Sequence, residues 1–305
     1  MAKHKALPQP MSATSIDAEP PGAATRPLSE LLRLPAGPVD LSALDPRASP
    51  GFPGRSKADA PALTQALAPE LGDLQERLFA AGRVGEPGAR RVLLVLQGMD
   101  TSGKGGVIRH AIGMVDPQGV AITSFKAPIK TEQAHHYLWR IERSLPAPGT
   151  IGIFDRSHYE DVLVVRVHDL VDESVWSTRY DEINAWEERL IANGTVVIKC
   201  FLHVSEAEQK ERLLARLDDE TKHWKYNPGD VDQRLRWPDY AAAYTDLLER
   251  CSTQHAPWFV IPADRKWYRN WAVAQLLLEH LRVLDLQWPR ADFDVAAEKV
   301  RLAAT

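Results

Sequence analysis

The sequence predicts one α/β domain in which a parallel sheet of about five strands is covered by helices on both faces. Three observations support this prediction. Apolar, strand-like runs alternate with amphipathic, helix-like stretches, the first strand leads directly into a glycine-rich loop, and no linker-like break follows residue 61. Alternation of strands and helices is typical of parallel sheets, because neighbouring parallel strands are usually joined by a helix. The composition of the 305 residues, 44% hydrophobic and 26% charged, supplies enough apolar material for such a core.

Residues 1–60 are predicted to form an extended N-terminal arm ahead of a domain spanning residues 61–305. Eleven of the 22 prolines fall in the first 61 residues, mixed with Ala, Ser and Gly. This composition cannot sustain helical periodicity or central strands, and we expect part of the arm to be disordered. A cluster of leucines is nevertheless expected to dock on a neighbouring surface. Its members are Leu28, Leu31, Leu32 and Leu34.

Within the domain, strands and helices follow from the spacing of apolar residues. Strands are predicted at residues 91–97, 120–125, 150–154, 195–204 and 258–261. Helices are predicted at residues 62–81, from the glycine-rich loop to 114, and at 131–144, 158–167, 174–193, 205–218, 239–253 and 266–283. The first strand carries an unbroken Val-Leu-Leu-Val-Leu run, which is typical of a strand buried on both faces.

Charge and cysteine content exclude several classes of protein. Lysine and arginine total 37 against 41 acidic residues, so the net charge of −4 provides no general positive field for nucleic acid or an anionic membrane. Cys200 and Cys251 are far apart in sequence, which argues against a disulfide framework or a zinc site. No apolar run approaches the roughly 18 residues of a membrane span. We therefore expect a cytoplasmic location and neither nucleic-acid nor membrane partners.

A phosphate-binding loop is predicted directly after the first strand. Residues 98–106 read Gly-Met-Asp-Thr-Ser-Gly-Lys-Gly-Gly, which satisfies Gly-x4-Gly-Lys between a strand and a helix. In such a loop, backbone N–H groups and the helix N-terminus surround the phosphates, and the lysine adds a positive charge. A glycine-rich turn without a ligand is the alternative. The predicted binding residues are Gly98, Thr101, Ser102, Gly103, Gly105 and Gly106, and Lys104 is assigned to catalysis.

The residues around the loop predict an unusual metal site. Gly105 replaces the Ser or Thr that usually follows the lysine and binds magnesium, so the metal must be held differently. Asp100 is the predicted substitute, because a carboxylate among phosphate-binding amides would repel the ligand unless a cation or a proton lies between them. This favours a metal or acceptor-phosphate role for Asp100 over a structural one. Asp155, after the apolar run 151–154, is the second predicted ligand, with a helix N-cap as its alternative role. Arg156 can then donate a pair of hydrogen bonds to phosphate oxygens.

Several separate blocks of sequence resemble the polyphosphate kinase 2 family, P-loop enzymes that move phosphoryl groups between inorganic polyphosphate and nucleotides. The resemblance extends from about residue 63 to residue 284 and implies a P-loop kinase-like, three-layer fold with a helical lid at about 205–236. The blocks are Gly98 to Gly106, Phe125-Lys126-Ala127-Pro128, Tyr137-Leu138-Trp139-Arg140, Phe154 to Val162, Trp237-Pro238-Asp239-Tyr240, and the stretches 256–258 and 262–268.

The resemblance also implies roles for individual residues. Asp100 and Asp155 would hold magnesium, with manganese as an alternative ion, while Lys104 and Arg156 would neutralise charge on the transferring group. Arg166 would contact a nucleotide phosphate.

Two arginines of the lid are further candidates, together with one lysine beside the second strand. Arg212 and Arg216 lie four residues apart and therefore share one helix face. The resemblance implies that they would close over the reacting phosphates. A solvated helix carrying pairs such as Glu208 with Arg212 is the alternative. Lys126 is the additional candidate for phosphate binding.

The predicted function is magnesium-dependent transfer of a phosphoryl group between inorganic polyphosphate and a nucleoside mono- or diphosphate, AMP or ADP with GMP and GDP as further acceptors. The resemblance implies a homo-oligomer, a dimer or a tetramer. One alternative is an ATP-dependent nucleoside or nucleoside monophosphate kinase, which would share the fold, the loop and the lid. The other is a non-enzymatic nucleotide-binding protein that retains the loop.

Overall fold

A sheet of five parallel strands runs through the centre of the chain. The computed structural model describes residues 26–35 and 37–305. The strands are β1 (Arg91–Gln97), β2 (Val120–Ser124), β3 (Ile151–Asp155), β4 (Thr195–His203) and β5 (Trp258–Pro262). Their order in the sheet is β2-β3-β1-β4-β5, and every neighbouring pair is parallel. The predicted sheet is confirmed, with strand limits within one residue of those expected.

The described residues contain fourteen α-helices. They are α1 (Leu28–Leu32), α2 (Ala60–Gln65), α3 (Ala68–Arg83), α4 (Lys104–His110), α5 (Lys130–Gln133), α6 (Trp139–Glu142), α7 (Glu160–Val167), α8 (Glu173–Trp176), α9 (Arg179–Ala192), α10 (Glu206–Leu217), α11 (Gly229–Leu235), α12 (Trp237–Cys251), α13 (Lys266–Arg282) and α14 (Val295–Ala303). None of the helices in this part of the chain is long and apolar enough to cross a membrane.

Three stretches that were predicted as single helices are divided. The prediction of one helix over 62–81 is wrong, because two helices, α2 and α3, cover this stretch. Pro69 lacks a backbone N–H and stands in the first turn of α3, where it separates the two helices. Residues 131–144 form α5 and α6, because tertiary contacts take precedence between them: the hydroxyl of Tyr137 donates to Glu182 at 3.1 Å and Leu138 is buried. Residues 174–193 form α8 and α9.

The sheet is covered on both faces, as β1 illustrates. Val92, Leu94 and Leu96 belong to the core between the sheet and α13, whereas Leu93 and Val95 belong to the core on the opposite face. All five side chains are fully buried. Since successive side chains of a strand point to opposite faces, an unbroken apolar run is required here.

The register of the sheet brings two predicted site segments together. Leu96 of β1 lies opposite Asp155 of β3, and the glycine-rich loop begins two residues after Leu96. After β1 the chain passes to β2 at one edge of the sheet, whereas after β3 it passes in the opposite direction, across β1, to β4. Ligands of open α/β sheets bind in the crevice at such a switch point, at the carboxyl ends of the strands.

Part of the N-terminal arm packs against the domain. Leu28 and Leu32 of α1 are buried, and the Glu279 carboxylate accepts hydrogen bonds from the N–H groups of Leu28 and Ser29, both at 2.9 Å. Arg33 then forms an antiparallel bridge with Phe259 on the outer edge of β5. The expected docking of the leucine cluster is confirmed; residues 1–25 of the arm lie outside the described residues.

Candidate active site

The backbone of the loop follows a path that two glycines make accessible. Gly98 and Gly103 have φ angles of 150° and 108°, in the region that favours glycine. A Cβ at Gly103 would lie 1.7 Å from Nη1 of Arg269, and one at Gly98 would lie 2.7 Å from the carbonyl oxygen of Leu202. Thr101 is also left-handed, with φ 62°. The loop is therefore held close to a buried guanidinium group, in a conformation that larger residues at 98 and 103 would disturb.

Three successive carbonyl groups of the loop are held by long side chains from α10 and α13. In a trans peptide the N–H points away from the preceding C=O, so fixing these carbonyls directs the following N–H groups to the other side. Among the described residues, the N–H groups of Thr101 and Gly103 donate to no acceptor. The arrangement leaves backbone donors available for an anion. The contacts are Gln209 Nε2 to Asp100 O at 3.1 Å, Arg212 Nη1 to Thr101 O at 2.7 Å, and Arg269 Nη1 to Ser102 O at 2.9 Å.

Oppositely charged side chains meet at the mouth of the loop. Nη2 of Arg156 donates to Oδ1 of Asp100 at 3.0 Å, and Nζ of Lys104 donates to the carbonyl of Gly98 at 2.9 Å. Burial, together with Arg156, lowers the pKa of Lys104, while Asp100, Asp155 and Glu160 oppose this shift. Burial acts in the same direction on Arg156, but the neighbouring acids, Glu160 first, raise its pKa overall. A bound polyanion would stabilise both cations.

Glu160 is a site residue that was quoted in a sequence block but not assigned a role. Its Oε1 accepts a hydrogen bond from Nε2 of Gln97 at 3.1 Å. Burial raises the pKa of Glu160, although Arg156 and Lys104 pull it down. The available signal was the acidic pair 160–161 at the start of a helix that closely follows a strand end.

The two predicted metal ligands lie on adjacent segments at the carboxyl edge of the sheet. Asp155 ends β3, and its Oδ2 accepts a hydrogen bond from the hydroxyl of Ser124 at 3.4 Å. Its alternative role as a helix N-cap is excluded, because Tyr159 occupies that position of α7. Each of Asp100 and Asp155 keeps one carboxylate oxygen without a hydrogen bond to any described residue.

A two-carboxylate donor set is one that magnesium accepts. No group of three or more His, Cys, Asp or Glu side chains suited to a metal occurs in the described part of the chain. Mg²⁺ commonly uses one or two carboxylates and completes its shell with water and substrate phosphates. Asp100 and Asp155 therefore fit such an ion, and their role as its ligands stays a prediction.

Arg212 is placed beneath the loop and not over it. All five of its N–H groups are occupied: Nε donates to Glu208 at 2.8 Å, and the remaining four donate to main-chain carbonyls of residues 101, 102, 263 and 264. The side chain is only 7% exposed. The Glu208 pair of the solvated-helix alternative is present, yet this helix face is buried. Arg212 has no donor left for a phosphate in this conformation.

The other predicted phosphate contacts are spread over different surfaces. Arg216 donates to the carbonyl of Lys225 at 3.2 Å and faces Asp230 at 3.5 Å, in the lid segment 205–236. Lys126 lies on the loop after β2 and lines the same cavity as Arg156. Arg166 is bound to Asp246 and lines a separate groove, so the structure does not bring it to the phosphate loop.

Two cavities meet at the site. A polar cavity of about 280 Å³ lies between the loop, α11 and α12, and a larger one of about 560 Å³ lies beyond α7. Arg156, Glu160 and Val164 line both of them. The larger cavity has the more apolar lining, which includes Phe125, Pro128, Tyr137, Val165 and Leu170.

Comparison with known proteins gives one family. The family model for polyphosphate kinase 2 matches residues 55–288. The AMP/ADP-polyphosphate phosphotransferase of Meiothermus ruber is 44% identical over 266 residues, covering 87% of this chain and 96% of the relative. The ADP-polyphosphate phosphotransferase of Rhodopseudomonas palustris is 40% identical over 263 residues, covering 82% of this chain and 88% of the relative. The crystal structure of polyphosphate kinase 2 from Arthrobacter aurescens superimposes with a TM-score of 0.88 at 49% identity, covering 92% of this chain and 98% of that one.

Proposed function

The chain belongs to the polyphosphate kinase 2 family, and on that premise we propose that it transfers a phosphoryl group between inorganic polyphosphate and a nucleoside mono- or diphosphate at the glycine-rich loop. The observation that carries the proposal is the position of Arg156. It pairs with Asp100 of the loop and lines both cavities, so its guanidinium group can face phosphates that arrive from either side. AMP and ADP are the proposed acceptors, with GMP and GDP as further ones.

Charge compensation is the main chemical task of this site. A terminal phosphate has a second pKa near 6 and is largely dianionic at neutral pH, so it needs little help from a general base. The acceptor, the transferring group and the polyphosphate chain are all anionic. Lys104, Arg156 and the free N–H groups of the loop would hold these groups in line and offset their charge. A chain of net charge −4 could thus bind a polyanion through these local groups, without a general positive field.

Magnesium would be held by Asp100 and Asp155. When bound, the ion would supply positive charge that offsets the charge on phosphate oxygens. Asp100 is already oriented by Arg156, so a carboxylate oxygen remains for the metal while the other stays paired. Gly105, which lacks a hydroxyl, then needs no part in metal binding.

We place the nucleoside in the 560 Å³ cavity and the phosphate chain over the loop. A nucleoside needs an apolar surface for its base, which Phe125, Tyr137 and Leu170 supply. Lys126 would then lie beside the nucleotide phosphates. The smaller cavity over the loop is polar and suits a chain of phosphates.

The test is an assay without added ATP. Purified protein, Mg²⁺ and long-chain polyphosphate are mixed with AMP, ADP, GMP or GDP, and nucleotides are separated by chromatography. We expect nucleoside di- or triphosphate to appear. Product that forms only with ATP as the donor would identify an ATP-dependent kinase instead. Nucleotide binding without any product would identify a non-enzymatic binding protein.

A further inference from the structure

Gln209 connects the phosphate loop to helix α11 through the two ends of its amide. Nε2 donates to the carbonyl of Asp100 at 3.1 Å, and Oε1 accepts from Nη1 of Arg234 at 2.9 Å. The side chain is 4% exposed. We propose that Gln209 is a positioning residue that transmits the placement of α11 to the peptide between Asp100 and Thr101.

The chemistry of the two partners fixes the direction of the amide. A guanidinium group only donates hydrogen bonds, and a main-chain carbonyl only accepts them. A flipped amide would turn its NH₂ group toward Arg234 and its oxygen toward the Asp100 carbonyl, which would lose both contacts. Arg234 therefore holds the Gln209 amide in the one orientation that serves the loop.

That orientation acts on a backbone donor of the proposed phosphate site. Because the Asp100 carbonyl is directed toward Gln209, the N–H of Thr101 in the same peptide plane points the opposite way. Thr101 has a left-handed φ of 62°, which costs energy for a residue with a Cβ branch. The peptide therefore needs an external contact to stay in place, and Gln209 provides it.

Arg234, the partner of Gln209, lies on α11, and this helix forms one wall of the 280 Å³ cavity beside the phosphate loop. Asp230 and Gln233 of α11 line the cavity that contains Asp100. Arg234 also donates to the carbonyl of Glu206 at 2.7 Å and to its carboxylate at 3.1 Å, which joins α11 to the start of α10. A shift of α11 would remove the donor that orients Gln209 and so release the Asp100 peptide. The position of this wall and the conformation of the loop are coupled.

The inference rests on the proposed function, and it is tested by a double-mutant cycle on the full-length protein. Gln209→Met removes both hydrogen bonds of the amide while keeping the side-chain volume. Arg234→Gln removes the hydrogen bond to Gln209 together with the two that Arg234 donates to Glu206, and it leaves the contact between Gln209 and Asp100 in place. We expect kcat to fall roughly tenfold in Gln209→Met, the scale for one lost hydrogen bond to a buried carbonyl. The fall should be smaller in Arg234→Gln, and the double variant should match Gln209→Met alone, since both changes break one path.

Asp232→Asn is the matched control, because Asp232 is an exposed residue of the same helix. Its kcat should stay at the wild-type value. Thermal melts run in parallel, since a merely structural role would lower the midpoint and leave kcat unchanged. Wild-type kcat in Gln209→Met, or a double variant that loses the product of the single losses, would overturn the proposal. If Gln209→Met fails to fold, the test is a comparison of kcat between Arg234→Gln and Asp232→Asn. Equal kcat values for these two variants would overturn the proposal.

A second measurement separates this inference from the proposed function. If wild-type protein makes no nucleotide from polyphosphate, the proposed function fails on its own. Calorimetric titration with inorganic tripolyphosphate then compares the same variants without turnover. We expect roughly tenfold weaker binding by Gln209→Met and unchanged binding by Asp232→Asn. Equal affinities of wild type and Gln209→Met, or no binding by the wild type, would overturn the coupling.

Discussion

Replacing Arg212 by Gln is expected to lower both the stability of the protein and its turnover. The change removes five hydrogen bonds at once and leaves the Glu208 carboxylate, 16% exposed, without its cation. Breaking a buried ion pair from one side costs about 3–5 kcal/mol. For a domain of this size, each kcal/mol lowers the thermal midpoint by about 2–4 °C, so we expect a fall of roughly 10 °C.

Arg216→Gln is the matched comparison, four residues further along the same helix. Its side chain is a quarter exposed and its ionic contact with Asp230 is long, at 3.5 Å, so the expected cost is about 1 kcal/mol or less. The measurements are thermal unfolding by circular dichroism and turnover with polyphosphate. We expect Arg212→Gln to lower both the midpoint and turnover strongly. An unchanged midpoint with a large loss of turnover would refute this reasoning and place Arg212 on the phosphates.

Four further predictions concern charge, metal and assembly. Lys104→Ala and Asp100→Ala should each lower turnover at least about a hundredfold with nearly unchanged thermal midpoints, because each removes a charge from a ligand-facing site; equal losses of activity and stability would indicate a structural role. Because the pKa of Glu160 is raised, its carboxyl group holds a proton more tightly in the folded chain than in the unfolded chain. The contribution of this group to the free energy of unfolding is therefore lost as pH rises above about 4.5. Glu160→Gln should therefore raise the thermal midpoint relative to wild type by an amount that grows as pH rises above 4.5. A difference in midpoint that does not change with pH would contradict this reasoning. Removal of divalent ions with EDTA should abolish turnover, and Mg²⁺ added in excess should restore it; turnover that survives EDTA would exclude the two-aspartate site. Light scattering should give a dimer or tetramer, and a mass of 34.0 kDa would contradict the expected assembly.

The sequence could predict the features that depend on the local pattern of neighbouring residues. The buried run 91–97, the loop that follows it and the carboxylate at 155 depend on local pattern, and the parallel register then brings them together. What the sequence could not show is which distant side chains serve the loop. Gln209 lies 109 positions from Asp100, and Arg269 lies in a helix whose spacing identifies only a buried face.

Arg212 shows the limit of helical spacing most clearly. Its separation from Arg216 gives a common direction from the helix, but not the neighbour that each side chain meets. Arg212 meets four main-chain carbonyls and becomes part of the support of the loop. Arg216, one turn later, donates to the carbonyl of Lys225 within the lid segment itself. The same spacing thus led to one expectation for two residues with different surroundings.

The docked arm covers part of the main-chain edge of β5. All five residues of β5 are buried, and among the strands that the structure describes its one neighbour in the sheet is β4. An apolar strand with an open main-chain edge is a template on which another molecule can add a strand. Arg33 and Leu34 occupy that edge, the latter through its N–H to the carbonyl of Trp258 at 2.9 Å. These two residues of the arm thereby cover part of the edge at which a second molecule could otherwise pair with β5.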